Sequence, residues 1–312
     1  MSEQSPKQAY ASPAEGRKVG LIAGWGRYPL VIADTLQRQG YRTYCLGIKD
    51  HADPVLDELC HDFRWIGVAQ LGKAIRYFRR NGVRQVTMGG KIHKVILLRP
   101  WLLLRHLPDW RAVRCFYPSF LLTRKDRKDD TLLRDIVDEF ALDRITFAPA
   151  TDFCPELLVQ YGNLTSRNPT RSQRRDIEFG WTLAKEIGRL DIGQSVVIKS
   201  RAVVAVEAIE GTDECIRRAG RLCRSGGSTV VKVAKPQQDM RFDVPTIGLG
   251  TLRAMMESGV RVLAVEAGRT IILDEPQVID YANRHQLVIV AMNPSQEEES
   301  EDDSNLQHRS AA

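Results

Sequence analysis

The sequence predicts an α/β protein with two α/β domains: an N-terminal Rossmann-like domain built on a parallel sheet and a C-terminal domain of mixed α/β structure. Short apolar segments alternate with segments of helical periodicity along the chain. A stretch rich in Pro, Asn, Ser, Thr and Arg interrupts this alternation at about 151–173 and predicts a linker. We therefore expect domains at 18–150 and 151–295, disordered tails at 1–17 and 296–312, and an active site in the cleft between the domains.

The first domain opens with a clear strand, turn and helix, in which an apolar run precedes Gly24-Trp25-Gly26 and helical spacing follows it. The elements predicted in this domain are strands at 19–23, 41–48, 85–89 and 145–147 and helices at 29–39, 72–81 and 129–140. Such alternation is typical of a parallel sheet, with Gly24 and Gly26 at the carboxyl end of its first strand.

The second domain begins with a helix that Gly188 stops, and strands and helices then alternate to residue 292. Its predicted strands lie at 195–200, 202–208, 229–234, 262–266 and 287–292, and its helices at 174–187, 213–223, 250–258 and 276–285. Thr212 is the expected N-cap of the helix at 213–223.

Composition narrows the class of protein. The 312 residues are 43% apolar and 27% charged, as in globular domains, and no apolar run approaches the ~20 residues that span a bilayer. The first 17 residues lack the apolar core of a signal peptide, so we expect a cytoplasmic protein. The six cysteines show no CxxC spacing and the six histidines no HxxxH pattern, which argues against a disulfide framework, a zinc site or a histidine-based metal site.

The charge of the chain is unevenly distributed. Removing the six acids of residues 296–303 raises the formal net charge from +6 to +12. Residues 91–128 contain ten Lys or Arg against two acids, interleaved with aromatic and leucine side chains. This pattern suits an anionic surface such as a membrane, a phospholipid-like substrate or nucleic acid, and it equally suits a basic helical hairpin whose leucines are core.

Three short motifs are candidate phosphate or metal sites. Gly24-x-Gly26 after a buried strand can present N–H groups to a phosphate, although Pro29 stands where a dinucleotide fingerprint has its third glycine. Asp129 and Asp130 open a helix, where carboxylates either complement the helix dipole or bind a divalent cation. The segment 207–213 contains Glu207, Thr212 and Asp213 at a strand-to-helix turn, which either holds a phosphate or is an ordinary cap.

The most informative segment is 232–248, KVAKPQQDMRFDVPTIG. If it is extended, Asp239, Arg241 and Asp243 share one face at ~7 Å intervals, while Met240, Phe242 and Val244 face the core. Acid, base and cationic groups at the end of a strand indicate an active site, and the alternative is the solvated face of an edge strand. Walker A, GxSxG, protein-kinase and metallophosphoesterase signatures are absent from the sequence.

Six segments together resemble one enzyme family, the two-domain UDP-2,3-diacylglucosamine pyrophosphatases of lipid A biosynthesis, of the alpha-proteobacterial type rather than the metallophosphoesterase type. The matching segments are GLIAGWGRYP (20–29), KDDTLLR (128–134), EIGRLDIGQ (186–194), VEAIEGTDECIRR (206–218), KVAKPQQDMRFDVPTIG (232–248) and VEAGRTIILD (265–274). They occur in the order of the family across residues 18–293. The chain departs at Lys128, where the family more usually has Gly.

The resemblance implies hydrolysis of UDP-2,3-diacylglucosamine to UMP and 2,3-diacylglucosamine 1-phosphate with a divalent cation, such as Mg²⁺, as cofactor. The family's catalytic aspartate in DxPTIG falls on Asp243. Because a pyrophosphate needs its charge neutralised, we expect Lys235 and Arg241 to be catalytic and Asp239 either to share the metal with Asp243 or to orient Arg241. Substrate contacts are expected from Gly24, Gly26, Asp129, Asp130, Gln194, Glu207, Thr212, Asp213, Lys232 and Thr246.

The resemblance also implies a homodimer without a nucleic-acid partner. A diacyl substrate gives the basic, apolar segment 95–120 a purpose, and we expect it to line an acyl-chain groove or touch the inner face of the inner membrane. Two other classes remain as alternatives: an oxidoreductase that uses a dinucleotide or nucleotide sugar, for which the first domain would bind the cofactor, and a non-catalytic nucleotide- or RNA-binding protein, which the positive charge suggests.

Overall fold

The computed structural model describes residues 16–92, 106–121 and 129–293, with the side chains of 117–121 and 129–132 excepted. These residues form two compact units that divide between Pro155 and Glu156, within the predicted linker. That linker contains regular structure, because a short strand at Gly162–Asn163 pairs antiparallel with the last strand of the second unit. Both units are α/β, as the sequence predicts. The placing of the active site in a cleft between the two domains stays a prediction.

The first unit contains a parallel five-stranded sheet. Its strands are β1 (Lys18–Ala23), β2 (Arg42–Ile48), β3 (Asp62–Ile66), β4 (Gln85–Gly89) and β5 (Thr146–Phe147). Its helices are α1 (Tyr28–Arg38), α2 (Leu56–Leu59), α3 (Leu71–Arg80), α4 (Trp110–Leu121), α5 (Asp129–Ala141) and α6 (Ala150–Phe153). The strand order is β3-β2-β1-β4-β5 with every pairing parallel, which confirms the Rossmann-like prediction.

Strands β2 and β3 are added on one side of β1, and β4 and β5 on the other, so the strand order changes direction between β1 and β4. The loops after β1 and β4 are hydrogen-bonded to each other. Gly24 donates its N–H to the Gly89 carbonyl at 2.8 Å, and Trp25 and Lys91 exchange backbone hydrogen bonds at 2.8 and 2.9 Å. A side chain at Gly90, where φ is +91°, would lie 2.8 Å from the carbonyl carbon of Gly24. The close approach of the two loops therefore requires glycine at this position.

The second unit has a mixed six-stranded sheet. Its strands are β6 (Gly162–Asn163), β7 (Ser195–Lys199), β8 (Ala202–Val206), β9 (Ser228–Lys232), β11 (Val260–Glu266) and β13 (Val288–Met292), and β10 (Thr246–Ile247) and β12 (Ile271–Ile272) form a separate parallel pair. Its helices are α7 (Arg171–Arg189), α8 (Thr212–Leu222), α9 (Leu249–Glu257) and α10 (Glu275–Arg284). The order is β6-β13-β11-β9-β7-β8, and β9, β11 and β13 are parallel to one another. Strand β6 is antiparallel to β13, β7 is antiparallel to β9, and β8 is antiparallel to β7.

Both faces of this sheet are covered, because alternate strand residues point to opposite sides. Val231 and Ala264 pack with Trp181 of α7 on one face. Their neighbours Val230 and Leu263 pack on the other face, with residues of α8, α9 and α10. The unit is therefore a three-layer sandwich, with helix α7 on one side of the sheet and helices α8, α9 and α10 on the other.

Several expectations of the sequence fall outside the described residues. The predicted tails lie there almost entirely, and so do Lys128 and much of the basic region, at 93–105 and 122–128. Within the part of the chain that the structure describes, no helix is both long and apolar enough to cross a membrane.

The contact between the β1 and β4 loops predicts the effect of Gly90→Ala. The substitution places a methyl group against backbone atoms at a positive φ, so we expect a loss of about 1–3 kcal/mol from overpacking in addition to about 1–2 kcal/mol from backbone strain. Gly82→Ala is the matched control, since Gly82 has φ +70° and only the flexible Lys18 Nζ close by. Urea unfolding of the two variants measures the difference, and equal losses would contradict the packing argument.

Candidate active site

The predicted site residues of the second unit converge on one edge of its sheet. Lys232 ends β9, where it lies in register with Ser195 at the start of β7 and Val265 near the end of β11. Glu207 directly follows β8, and its N–H bonds to the Ser195 carbonyl at 2.9 Å. Because β7 is antiparallel to both β8 and β9, its beginning meets their ends at this edge.

A buried cation and a buried carboxylate lie at this edge and share one hydroxyl group. Lys232 Nζ donates to Thr212 Oγ1 and to the Thr246 carbonyl, each at 3.0 Å, and Thr212 Oγ1 donates to Glu207 Oε1 at 3.0 Å. Ser195 Oγ lies 3.2 Å from the same Thr212 oxygen. Lys232 is 6% exposed and Glu207 7% exposed, so both charged groups are held away from water. They have opposite charge and lie on either side of the Thr212 hydroxyl.

The structure corrects the predicted role of Thr212 as a helix cap. Helix α8 begins at Thr212 itself, and the N-cap is Gly211, with φ +83° and no side-chain cap. The Thr212 hydroxyl instead binds Glu207 and Lys232, which are more demanding partners because they are charged and buried. Glu210 lies in the same turn. Its carboxyl accepts hydrogen bonds from the Glu210 backbone N–H and from Arg218, and these bonds lower its pKa.

One oxygen of Glu207 and one of the neighbouring Gln194 are buried acceptors without a bond in this cluster. Glu207 Oε2 and Gln194 Oε1 have no hydrogen-bond partner among the described residues. The backbone of Gln194 holds the end of β9, since its carbonyl accepts from the Val233 N–H at 3.0 Å. Buried acceptors normally have partners, so these two oxygens are sites where a water or a donor group of a ligand would be accommodated.

Asp213 links the beginnings of two helices. Its carboxylate accepts from the Thr251 hydroxyl at 2.8 Å, which joins the first turn of α8 to the first turn of α9. A carboxylate is favourable at both positions because the N-termini of helices carry partial positive charge. The contact fixes the two helix starts beside each other at the sheet edge formed by Ser195, Glu207 and Lys232, which we call the functional edge.

The segment after β9 is a loop, not the extended strand that the charge alternation predicts. In this β9–β10 loop (residues 233–245), the N–H groups of Phe242 and Asp243 both bond to the Asp239 carbonyl at 3.1 Å, which closes a tight turn. Asp239 Oδ1 also accepts from the Arg241 N–H at 3.1 Å. Such local side-chain bonds compete with strand pairing. The shared face of alternating charges is therefore absent from this loop.

The expected core positions of this loop change with its conformation. Met240, Phe242 and Val244 are half-buried rather than core residues. The loop reaches the protein interior only at its ends, where Val233, Ala234 and Pro245 are buried.

Asp239 and Arg241 form a bidentate ion pair. Arg241 Nε lies 2.9 Å from Asp239 Oδ1 and Arg241 Nη2 lies 2.6 Å from Oδ2. The guanidinium also lies over the Phe242 ring, 5.0 Å from its centre. The orientation of Arg241 is thus fixed from two sides, which corresponds to the second of the two roles that the sequence left open for Asp239.

Asp243 is exposed and Lys235 is half-buried, and the side chain of Gln238 is hydrogen-bonded to both residues. Gln238 Nε2 donates to Asp243 Oδ2 at 2.6 Å, while Gln238 Oε1 accepts from the Lys235 N–H at 2.7 Å. Lys235 Nζ pairs with Asp191 Oδ1 at 2.7 Å. The loop thereby brings the predicted catalytic aspartate and lysine onto one short hydrogen-bonded chain.

The donor set suits a cation that is shared with substrate phosphates. Among the described residues no group of three His, Cys, Asp or Glu could enclose a metal ion. Magnesium is commonly held by one or two carboxylates together with substrate phosphates, so an exposed carboxylate such as Asp243 is a suitable protein ligand. Both oxygens of Asp239 bond to Arg241, so Asp239 would have to give up that pair to bind a cation.

The first unit holds the remaining predicted residues. The N–H of Gly24 is used in bonding to Gly89, whereas Gly26, at φ +109°, has open space beside its α-carbon. The bonded Trp25–Lys91 backbone lies where a dinucleotide would enter between β1 and β4, and this geometry does not favour the oxidoreductase alternative. Asp129 and Asp130 begin α5, as predicted, and their side chains lie outside the described part of the structure.

Sequence reasoning missed four side chains that hold the β9–β10 loop: Lys185, Asp191, Gln238 and Glu266. Lys185 binds Glu266 across 81 positions of sequence, a separation at which no periodic pattern operates. The one available signal was a carboxylate that ends the apolar strand β11 at a sheet edge.

The buried cluster predicts a coupled effect on stability. Lys232→Met leaves the Glu207 charge buried without a cation nearby to balance it, so we expect a loss of about 3–5 kcal/mol. Adding Glu207→Gln removes that charge, and the double variant should recover about 0.5–3 kcal/mol relative to the sum of the single effects. Urea unfolding of the wild type, both single variants and the double variant gives the coupling. Additive losses would show that the two groups do not interact through Thr212.

The family of the chain follows from comparison with known proteins. Residues 18–157 match the model of the LpxI N-terminal domain, and residues 160–290 match that of the LpxI C-terminal domain. The chain is 32% identical over 288 residues to UDP-2,3-diacylglucosamine pyrophosphatase LpxI of Caulobacter vibrioides, an alignment that covers 90% of this chain and 99% of that protein. With both domains matched in order, the chain belongs to the LpxI family.

Proposed function

We propose that this protein hydrolyses the pyrophosphate bond of UDP-2,3-diacylglucosamine to give UMP and 2,3-diacylglucosamine 1-phosphate. The similarity to the Caulobacter pyrophosphatase over nearly the whole of both chains carries the proposal. The β9–β10 loop supports it, because it presents a carboxylate, a guanidinium and an ammonium group within nine residues at the edge of a sheet.

The residues of the loop divide the chemistry between them. Asp243 is the exposed carboxylate, and it either takes a proton from the attacking water or holds the cation; Gln238 fixes its orientation. Arg241, held by Asp239, and Lys235 stabilise the charge that develops on the phosphate oxygens. Because these cations are already oriented, they need little rearrangement when the substrate is bound.

A divalent cation, Mg²⁺ in our proposal, would be held by Asp243 and the substrate phosphates, with Asp239 as a further ligand only if it releases Arg241. When bound, it would withdraw electron density from the phosphate oxygens and neutralise their charge.

The buried edge supplies substrate contacts in this proposal. The starts of α8 and α9 direct backbone N–H groups towards the same edge, where anions bind favourably. Thr212, Asp213 and Thr246 lie there, and Lys232 adds a positive charge beneath them. Glu207 and Gln194 contribute the two buried acceptors, which suit donor groups of a nucleotide or sugar. Gly26, Asp129 and Asp130 are proposed contacts from the first unit.

The location and assembly of the protein are also proposals. Trp110 is 82% exposed at the start of α4, and Leu107 just before it is exposed as well, which supports an acyl-chain or membrane contact for this region. Part of the local positive charge is neutralised within the unit, since Arg111 and Arg114 both pair with Glu139. We expect a cytoplasmic homodimer that contacts the inner face of the inner membrane.

Asp243→Asn tests the proposed chemistry. The variant keeps the shape of the side chain and its bond from Gln238 but removes the charge, so we expect UMP release to fall by at least about 10³-fold while substrate binding remains. UMP is measured from UDP-2,3-diacylglucosamine, with and without EDTA, and binding is measured by calorimetry.

Asp280→Asn is the matched control, because Asp280 is an exposed aspartate paired only at the surface of α10 with Arg284. It should leave turnover unchanged. An Asp243→Asn variant that retains activity would remove Asp243 from the mechanism, and activity that persists in EDTA would count against the cation.

The membrane contact has a separate test. Replacing Trp101, Leu102 and Leu103, which lie outside the described residues, with Ser removes apolar side chains from the basic segment. We expect less co-sedimentation with anionic liposomes, since each buried apolar side chain contributes about 1.5–3 kcal/mol. Unchanged co-sedimentation would argue against membrane contact. A raised KM for diacyl substrates, without a change for a deacylated analogue, would then identify an acyl-chain groove.

A further inference from the structure

An ion pair outside the predicted catalytic set holds the beginning of the β9–β10 loop. Lys185 of α7 donates to both carboxylate oxygens of Glu266, at 2.8 and 2.7 Å. The same two side chains bind both polar groups of one residue of the loop. Glu266 Oε2 accepts from the Ala234 N–H at 2.8 Å, and Lys185 Nζ donates to the Ala234 carbonyl at 3.0 Å.

Ala234 is the position where the chain leaves the sheet and enters the charged loop. It is the last buried residue after β9 and immediately precedes Lys235. With its N–H and its carbonyl both held by side chains, the peptide groups on either side of its α-carbon are fixed in direction. The direction in which Lys235 and the following turn leave the sheet is therefore set by Lys185 and Glu266.

The end of α7 supports the same part of the loop by packing. Gly188 lies against Lys235 and Pro236, where an added Cβ would be 3.3 Å from the Lys235 α-carbon. Gln237 Nε2 donates to the Arg189 carbonyl at 3.1 Å. The loop is thus docked on one helix end, and the Lys185–Glu266 pair is the charged part of that docking.

The burial of the pair indicates why charge is used here. The side chains of Lys185 and Glu266 are 27% and 12% exposed, so their hydrogen bonds are stronger than those of a surface pair. The pair lies at the edge of the sheet, and neither residue is a member of the two apolar clusters that cover the faces of the sheet. Its loss should therefore release the loop before it unfolds the unit.

We propose that Lys185 and Glu266 are positioning residues that fix the β9–β10 loop, and with it Asp243, Arg241 and Lys235, in the geometry that the hydrolysis needs. Neither side chain has a proposed contact with the substrate; both act through the backbone of Ala234. The inference rests on the proposed function for its effect on turnover, and on geometry alone for its effect on the loop.

The test compares Lys185→Met, Glu266→Gln and Lys185→Arg in the full chain. Hydrogen–deuterium exchange of residues 235–243 reports the loop, and UMP release reports turnover. We expect faster exchange in the loop for Lys185→Met and Glu266→Gln, unchanged exchange in β1 and β2, and kcat lower by on the order of tenfold to a hundredfold with KM within about threefold. Lys185→Arg retains donors for both Glu266 and Ala234 and should restore most of kcat.

Lys199→Met is the matched control. Lys199 also ties a backbone carbonyl with its ammonium group, that of Gly226 at 2.7 Å, at the opposite end of β7. Its replacement should leave kcat and exchange of the loop unchanged. If Lys185→Met does not fold, Glu266→Gln and Lys185→Arg carry the same comparison with smaller changes of shape.

Two outcomes would overturn the inference. Loop exchange and kcat equal to wild type in folded Lys185→Met or Glu266→Gln would show that the pair does not position the loop. Loss of kcat in Lys199→Met as well would show a general effect of losing a lysine. A wild-type protein that releases no UMP would instead refute the proposed function, and the exchange data would still decide whether the pair fixes the loop.

Discussion

The ammonium group of Lys232 lies at the end of β9 with almost no access to water, and the functional edge of the second unit is arranged around it. A buried charge is tolerated only when polar groups surround it closely. Thr212 and the carbonyl of Thr246 meet that requirement, so the first residue of α8 and the first residue of β10 must both lie beside the end of β9. The positions of these elements follow from one electrostatic constraint.

That constraint extends beyond the lysine. The Thr212 hydroxyl accepts from Lys232 and donates its own proton to Glu207. Asp213, the next residue, accepts from Thr251 at the start of α9. A single strand-to-helix turn thus connects a buried lysine and a buried carboxylate, bridged by Thr212, to two helix N-termini. The charged residues of the β9–β10 loop are held in a different way, by local turns and by bonds to α7 and β11.

The sequence predicted the regular elements well wherever burial imposes a period. The strands and helices that were predicted in the second unit start and end within a few residues of their expected positions, because the alternation of Val230 and Val231 or of Leu263 and Ala264 reports the two covered faces directly. The two-residue strands β6, β10 and β12 were not predicted. Strand β3 was not predicted, since its DFRWI sequence places charged and partly exposed aromatic residues where apolar ones would mark burial.

The conformation of the charged loop could not be deduced from its pattern. Alternating charges are the same in a solvated strand and in a loop, and the deciding interaction is the bond of the Asp239 side chain to the Arg241 backbone two residues later. Asp243 was distinguished from Asp239 only by family resemblance. The Lys185–Glu266 pair depends on the meeting of α7 with β11 and so on the tertiary fold.

The charged side chains of the loop have partners even in the absence of a ligand, and this favours catalysis rather than opposing it. Free Lys and Arg side chains would lose up to about 2 kcal/mol of rotamer entropy each on meeting a phosphate. Arg241 and Lys235 have already lost much of that freedom to Asp239 and Asp191. An incoming pyrophosphate therefore exchanges one anionic partner for another at a fixed position, and more of the interaction energy remains available to stabilise the charge of the transition state.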